Sequence, residues 1–180
     1  MNPGKKLMNC QDACRTREKS SIQRWGMIGL GLVAIAVAPM SISATPNTQL
    51  DAQTQQAMID AIHDEYRARA LYTAVIDKFG AVRPFSNIVR AEDCHVSLWN
   101  TLFTQYGLPI PTDSFAGNIT VPDTFQAACQ LGVEAEIANV AMYDRFLVFV
   151  QQPDLRAAFT QLRQVSQKRH LPAFQRCVSR

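Results

Sequence analysis

Glu92 and His95 stand three residues apart in Ser86-Asn87-Ile88-Val89-Arg90-Ala91-Glu92-Asp93-Cys94-His95. On a helix, residues three apart project from the same face. The stripe running through this pair is apolar: Ile88, Ala91, Leu98, Trp99, Leu102 and Tyr106. An ionisable Glu-x-x-His pair aimed into a core carries a desolvation cost. In a helical bundle the commonest compensation is a metal ion. The motif alone is frequent by chance, so its meaning turns on whether other segments supply matching ligands.

Three other segments carry candidates. Met58, Ile62, Glu65, Arg69, Tyr72, Ile76 and Phe79 recur at alternating steps of four and three, the period of a bundle seam. They predict one long helix from Thr48 to Phe79 with Glu65 in mid-seam. Taken alone, Glu65 could also snorkel, or pair with Arg69 one turn on. A third helix, from an Asp123 cap to Val150, has the seam Phe125, Cys129, Gly132, Glu136, Val140, Tyr143 and Leu147. Glu136 again sits mid-seam, and Glu134, about 200° round the helix, reads as solvated. A fourth helix, from Pro153 to Val178, has the seam Leu155, Phe159, Leu162, Ser166, His170, Ala173 and Cys177. A lone histidine on an apolar face is more often a hydrogen-bonded core residue than a ligand. Here it faces three seams that each hold an acid.

The two halves echo each other. Glu65 and Tyr72 share the spacing of Glu136 and Tyr143, and Glu92-x-x-His95 is matched by Gln167-x-x-His170. All lie near mid-helix and would meet at one level. Carboxylates from two helices with Glu-x-x-His pairs from the other two form the ligand plan of carboxylate-bridged di-iron and di-manganese bundles.

Short breaks at Gly80–Pro84 and Gln151–Asp154 fold helix two back on helix one and helix four back on helix three. Between the pairs lies a long connection, Gly107 to Pro122, with prolines at 109, 111 and 122. At about 3.3 Å per residue it can run the length of a bundle. The expected fold is therefore an all-α antiparallel four-helix bundle with one long crossover between helices two and three, over residues 45–180.

Residues 1–44 read as a leader. A basic stretch precedes the apolar run Gly26 to Ala38, and Pro39, Ser41, Ser43 and Ala44 follow. The run is shorter than the roughly 20 residues of a spanning helix. A cleaved signal, cut near Ser43 or Ala44, and an uncleaved anchor both fit this pattern. Either implies export, to the periplasm or beyond, with no membrane association once the leader is removed. The formal charge of +3 is concentrated there: residues 1–44 carry six basic and two acidic side chains, so the remainder carries −1. No basic footprint for nucleic acid is left.

Several blocks resemble the ferritin-like superfamily, and more closely the bacterial family catalogued as domain of unknown function 2202. They are Asp64-Glu65-Tyr66-Arg67-Ala68-Arg69-Ala70-Leu71-Tyr72, Phe85-Ser86-Asn87-Ile88 with Ala91-Glu92 and His95, Tyr106-Gly107-Leu108-Pro109, Gly132-Val133-Glu134-Ala135-Glu136, and His170-Leu171-Pro172-Ala173-Phe174. The resemblance implies a ferritin-like bundle with a di-metal site, and no settled reaction. It carries over Glu65, Glu92, His95, Glu136 and His170 as metal ligands. The chain departs from the pattern at Gln167, where a second Glu-x-x-His would have Glu. A neutral amide cannot bridge two ions as a carboxylate does, so two ions and one ion both remain open. Imidazole with carboxylate suits iron, manganese or zinc. Tyr72, Tyr143, Gln167, Asn139 and Asp144 are candidates to surround the ligands.

Cys129 precedes Glu136 by seven residues and Cys177 follows His170 by seven. On antiparallel helices both fall about 10 Å from the site in the same direction, which predicts a Cys129–Cys177 disulfide in an exported protein. With no Cys-x-x-Cys module in the sequence, any reductant must be external. Three functions fit: an oxidoreductase using Fe(II) with O2 or peroxide, an iron-binding or sequestering protein, and a structural bundle whose site has decayed. A hydrolase has little support, because Ser97, Ser114 and Ser166 lie in no nucleophile motif and His63 has no evident partner. A homodimer is compatible with all three.

Overall fold

The structure, a computed structural model, describes residues 50–180. The expected leader and the first residues of the first expected helix lie outside the described residues. Within them all regular structure is helical: α1 is Ala52–Phe79, α2 Phe85–Gln105, α3 Phe125–Phe149, α4 Pro153–Val165 and α5 Leu171–Val178, with a π-helical turn, Ser166–His170, between α4 and α5. α4, the turn and α5 follow one another without a break, so the fold is a bundle of four rods.

Local chemistry sets the ends. The Asp51 carboxylate accepts the Thr54 amide at 2.8 Å, which starts α1 at Ala52 rather than at Thr48. Thr124, not Asp123, caps α3, its hydroxyl accepting the Ala127 amide at 3.1 Å. α1 stops at Gly80, whose φ of +88° costs glycine little and other residues more.

Contacts between the ends fix the topology. Lys78, at the end of α1, donates to the Pro122 carbonyl just before α3. Gln126, near the start of α3, donates to the Val178 carbonyl at the end of α5. Gln105 and Tyr106, at the end of α2, both donate to Asp154 at the start of α4. Neighbouring rods are therefore antiparallel, and residues 107–122 must return along the whole bundle. They do so against α1. The Tyr66 hydroxyl donates to the Pro111 carbonyl, and Arg69 pairs with Asp113 at 2.8 Å. Arg69 thus turns out to the crossover, with Asp93 as its second partner, and is no partner for Glu65.

The fourth rod is not the uninterrupted α-helix that periodicity predicts. Pro172 is the reason. In an α-helix its ring would clash with the Lys168 carbonyl, and it has no N–H to give. The chain answers with the wider turn, in which the Leu171 N–H reaches back five residues to the Ser166 carbonyl. Ser166 and His170 then share the buried face, while Gln167 rotates into solvent.

The core falls into two apolar clusters with a polar layer between them. One surrounds Trp99, Phe159, Tyr143, Phe146 and Met58. The other surrounds Tyr72, Phe85, Val75 and Phe174 and includes Cys129 and Cys177. Those two cysteines are joined in a disulfide, Cα to Cα 5.7 Å, across a separation of 48 residues. It ties the start of α3 to the end of α5.

Gly132 of α3 lies against the fully buried Phe174 ring. A Cβ there would stand 2.5 Å from Phe174 Cδ1. Glycine-to-alanine substitution in a helix normally stabilises by up to about 1 kcal/mol. Here overpacking outweighs that gain, and we expect Gly132→Ala to destabilise the protein by about 1–3 kcal/mol. Urea unfolding checks this, and unchanged or higher stability would refute the packing argument.

Candidate metal centre

The polar layer takes its residues from all four rods. α1 contributes Glu65, α2 contributes Glu92 and His95, α3 contributes Glu136 and Asn139, and the π turn contributes Ser166 and His170; all seven are buried. Their side chains converge as two overlapping groups. Glu65, Glu92 and His95 form one; Glu92, Glu136 and His170 form the other. In each, one ligand atom from every member lies within 4.8 Å of the others. Glu92 belongs to both, as a bridging carboxylate would. The cluster can therefore hold a metal ion.

The first group is knitted together by hydrogen bonds. His95 Nδ1 lies 2.8 Å from Glu92 Oε2 and 3.0 Å from Glu65 Oε2. The second is not. His170 Nδ1 lies 3.3 Å from Glu92 Oε1 and 3.5 Å from Glu136 Oε1, yet it makes no hydrogen bond. A buried imidazole nitrogen without a partner is costly. A cation between it and the two carboxylates would satisfy all three. The two imidazoles stack with centroids 5.8 Å apart.

Two tyrosines complete the layer in a reciprocal pattern. The Tyr143 hydroxyl donates to Glu65 Oε1 at 2.6 Å, and the Tyr72 hydroxyl donates to Glu136 Oε1 at 2.8 Å. Burial, reinforced by the adjoining carboxylates, pushes both phenols well above their usual pKa, so both remain hydroxyl donors. The Tyr143 bond leaves Glu65 Oε2 facing His95, whereas Glu136 Oε1 both accepts from Tyr72 and faces His170.

Burial pushes the Glu92 carboxyl well above the usual range, and the Glu65 charge adds to this against the opposing pull of His95. Burial would also raise Glu65, but His95 and hydrogen bonds from His95, Glu92 and Tyr143 bring it below its ordinary value. Burial opposes charge on His95, and the two carboxylates overcome it, raising its pKa well above normal. The metal-free centre thus holds the protons of Glu92 and His95 more tightly than either group would in water.

Two candidate neighbours lie elsewhere. Asp144 is exposed and forms a salt bridge with Arg163 of α4. Gln167 is exposed and accepts from the same Arg163 at 2.9 Å. The seam spacing assumed an unbroken α-helix, and the π turn removes Gln167 from the layer. Asn139 does lie in it, donating to Asp64 Oδ2 at 2.6 Å. Asp64 lies on no seam and in no ligand motif of the sequence. Burial, against the Asn139 hydrogen bond and with a push from Glu65, raises it to about 6. Its signal was its place beside Glu65, on a flank that α3 covers.

No family model matches the chain, and no curated protein matches it. Among solved structures, it is similar to a hypothetical protein from Methanococcus jannaschii, with a TM-score of 0.66 and 21% identity over 76% of this chain and 86% of that one. At that identity the likeness is one of fold.

Metal ligands must be deprotonated. Loading the centre should therefore release protons from Glu92 and His95, and apparent affinity should fall as pH is lowered through neutrality. Titration calorimetry in buffers of different ionisation enthalpy measures this. Binding with no buffer dependence would contradict the protonation described above.

Proposed function

We propose that the chain is a ferritin-like metalloprotein that binds two transition-metal ions, iron foremost, in the Glu/His layer. The observation that carries the reading is Glu92, shared by two three-residue groups that each add one carboxylate and one imidazole. One ion would be held by Glu65, Glu92 and His95, the other by Glu92, Glu136 and His170. Carboxylate and imidazole donors suit iron, manganese and zinc, and iron would supply redox chemistry toward O2 or peroxide. Tyr72 and Tyr143 orient the outer carboxylates, and the two apolar clusters flank the centre along the bundle axis. The sequence has no Cys-x-x-Cys module, and a reductant would come from outside. The leader-like residues 1–44 support export to the periplasm or beyond.

A second reading has one observation in its favour. The Glu65 group is already satisfied by His95 and Tyr143 without an ion, as a structural bundle would require. Iron binding without turnover is the intermediate case.

Metal content by mass spectrometry, after anaerobic loading with Fe(II) or Mn(II), separates these. We expect about two ions per chain, near zero in Glu92→Ala and about one in His170→Ala. Circular dichroism confirms that each variant is folded. A folded wild-type protein that retains no metal would sink the reading and leave the structural bundle.

A further inference from the structure

A cavity of about 350 Å³ opens between α1 and α3, directly on the polar layer. Its floor is Glu65, Glu92, Glu136, Tyr72 and Ser166. Its walls carry an apolar strip, Ala68 and Leu71 of α1, Leu131, Ala135 and Ala138 of α3 and Ile119 of the crossover, beside polar and charged side chains, Asp64, Arg67, Thr120, Glu134 and Asn139. Small side chains create it, because alanines at 68, 135 and 138 leave the two rods without interdigitating bulk. The space is at the lower end of the range for small-molecule sites and holds the volume of roughly ten waters. A diatomic or peroxide substrate needs far less.

The floor has a gap in its charge. Three carboxylates and two imidazoles around two divalent ions leave one positive charge over. The fourth rod would supply a fourth acid if it followed the second, but it carries Gln167 there and the π turn directs that side chain to solvent, while Ser166 stays on the buried seam. Ser166 lines the cavity beside Glu92 and Glu136. The position that a protein carboxylate could take is thus held by a short hydroxyl with open space in front of it. We propose that this cavity binds a small monocarboxylate with a short apolar tail. Its carboxylate occupies the missing fourth position beside Ser166, and its tail lies along Ala68, Leu71, Leu131 and Ala135. The inference rests on the di-metal reading and names the ligand class of that same centre.

The test uses hexanoate and benzoate as probes, with hexanol as the uncharged control, on protein whose metal content has been measured first. Binding is read by calorimetry and by the visible spectrum of the Co(II)-loaded protein. The expected result is saturable binding of both acids to loaded protein, with a change in the Co(II) bands and none with hexanol. Ser166→Glu should keep its metal and lose acid binding. Ala135→Leu, which narrows the cavity without replacing a ligand, should keep its metal and weaken hexanoate at least about tenfold; Ala68→Leu provides the same test if that variant does not fold. Two bound ions without acid binding would overturn this inference and leave the di-metal reading standing. Acid binding that is equal with and without metal, or equalled by hexanol, would overturn it as well. A wild-type protein that takes up no metal would overturn both.

Discussion

Three carboxylates and two imidazoles are buried at one level of this bundle, and most of the structure answers to that cost. Charged groups withdrawn from water must be paired, protonated or bound to a cation. Here the protein uses pairing and protonation on one side of Glu92. On the other side His170 Nδ1 is left without a hydrogen bond. The apolar clusters above and below make the demand stricter, because they offer the layer no polar partners along the bundle axis. The same clusters supply the stability that lets the layer persist. Trp99, Tyr72, Tyr143 and four phenylalanines are among the largest side chains fully withdrawn from solvent.

The layer is close to symmetric, and the departures from symmetry are informative. Tyr72 serves Glu136 as Tyr143 serves Glu65, so α1 and α3 play equivalent parts. α2 and the fourth rod do not. α2 is an unbroken α-helix that presents Glu92 and His95 together. The fourth rod contains Pro172, winds wider to accommodate it, and presents Ser166 and His170 instead. One backbone adjustment removes an amide from the centre, leaves the Ser166 hydroxyl as its neighbour, and leaves room for something that is not protein. Asp64, held by Asn139 at the edge of that room, adds an acid whose charge depends on pH near 6.

Much of this was legible in the chain. Seam periodicity located all four rods, and the acids in mid-seam, Glu65, Glu92 and Glu136, are the ones that converge. The short breaks and the proline-rich connection fixed the order of the rods, because chain length permits few other paths. What periodicity could not convey was a change in the period itself. Pro172 was in view, yet a proline in a helix can end it, bend it or widen one turn, and only neighbouring contacts decide among these. Gln167 was misplaced for that reason. Asp144 was misplaced because a helix position says how far round a side chain lies and not which cation waits there; Arg163 draws it to the surface. Arg69 falls on the seam by spacing but is claimed by the crossover through Asp113.

The chain is also two hairpins, and their shares of the centre are unequal. The α1–α2 hairpin carries Glu65, Glu92 and His95, a complete three-donor group. The α3–α5 hairpin, fastened to itself by Cys129–Cys177, brings Glu136 and His170 and must borrow Glu92 to complete the other. During assembly, then, one half could chelate before the halves meet, and the other could not. The second coordination pocket comes into being with the docking of the hairpins, so its occupancy reports on tertiary assembly as much as on affinity. An ion there would act as a clasp across the seam between the halves, at a level the disulfide does not reach.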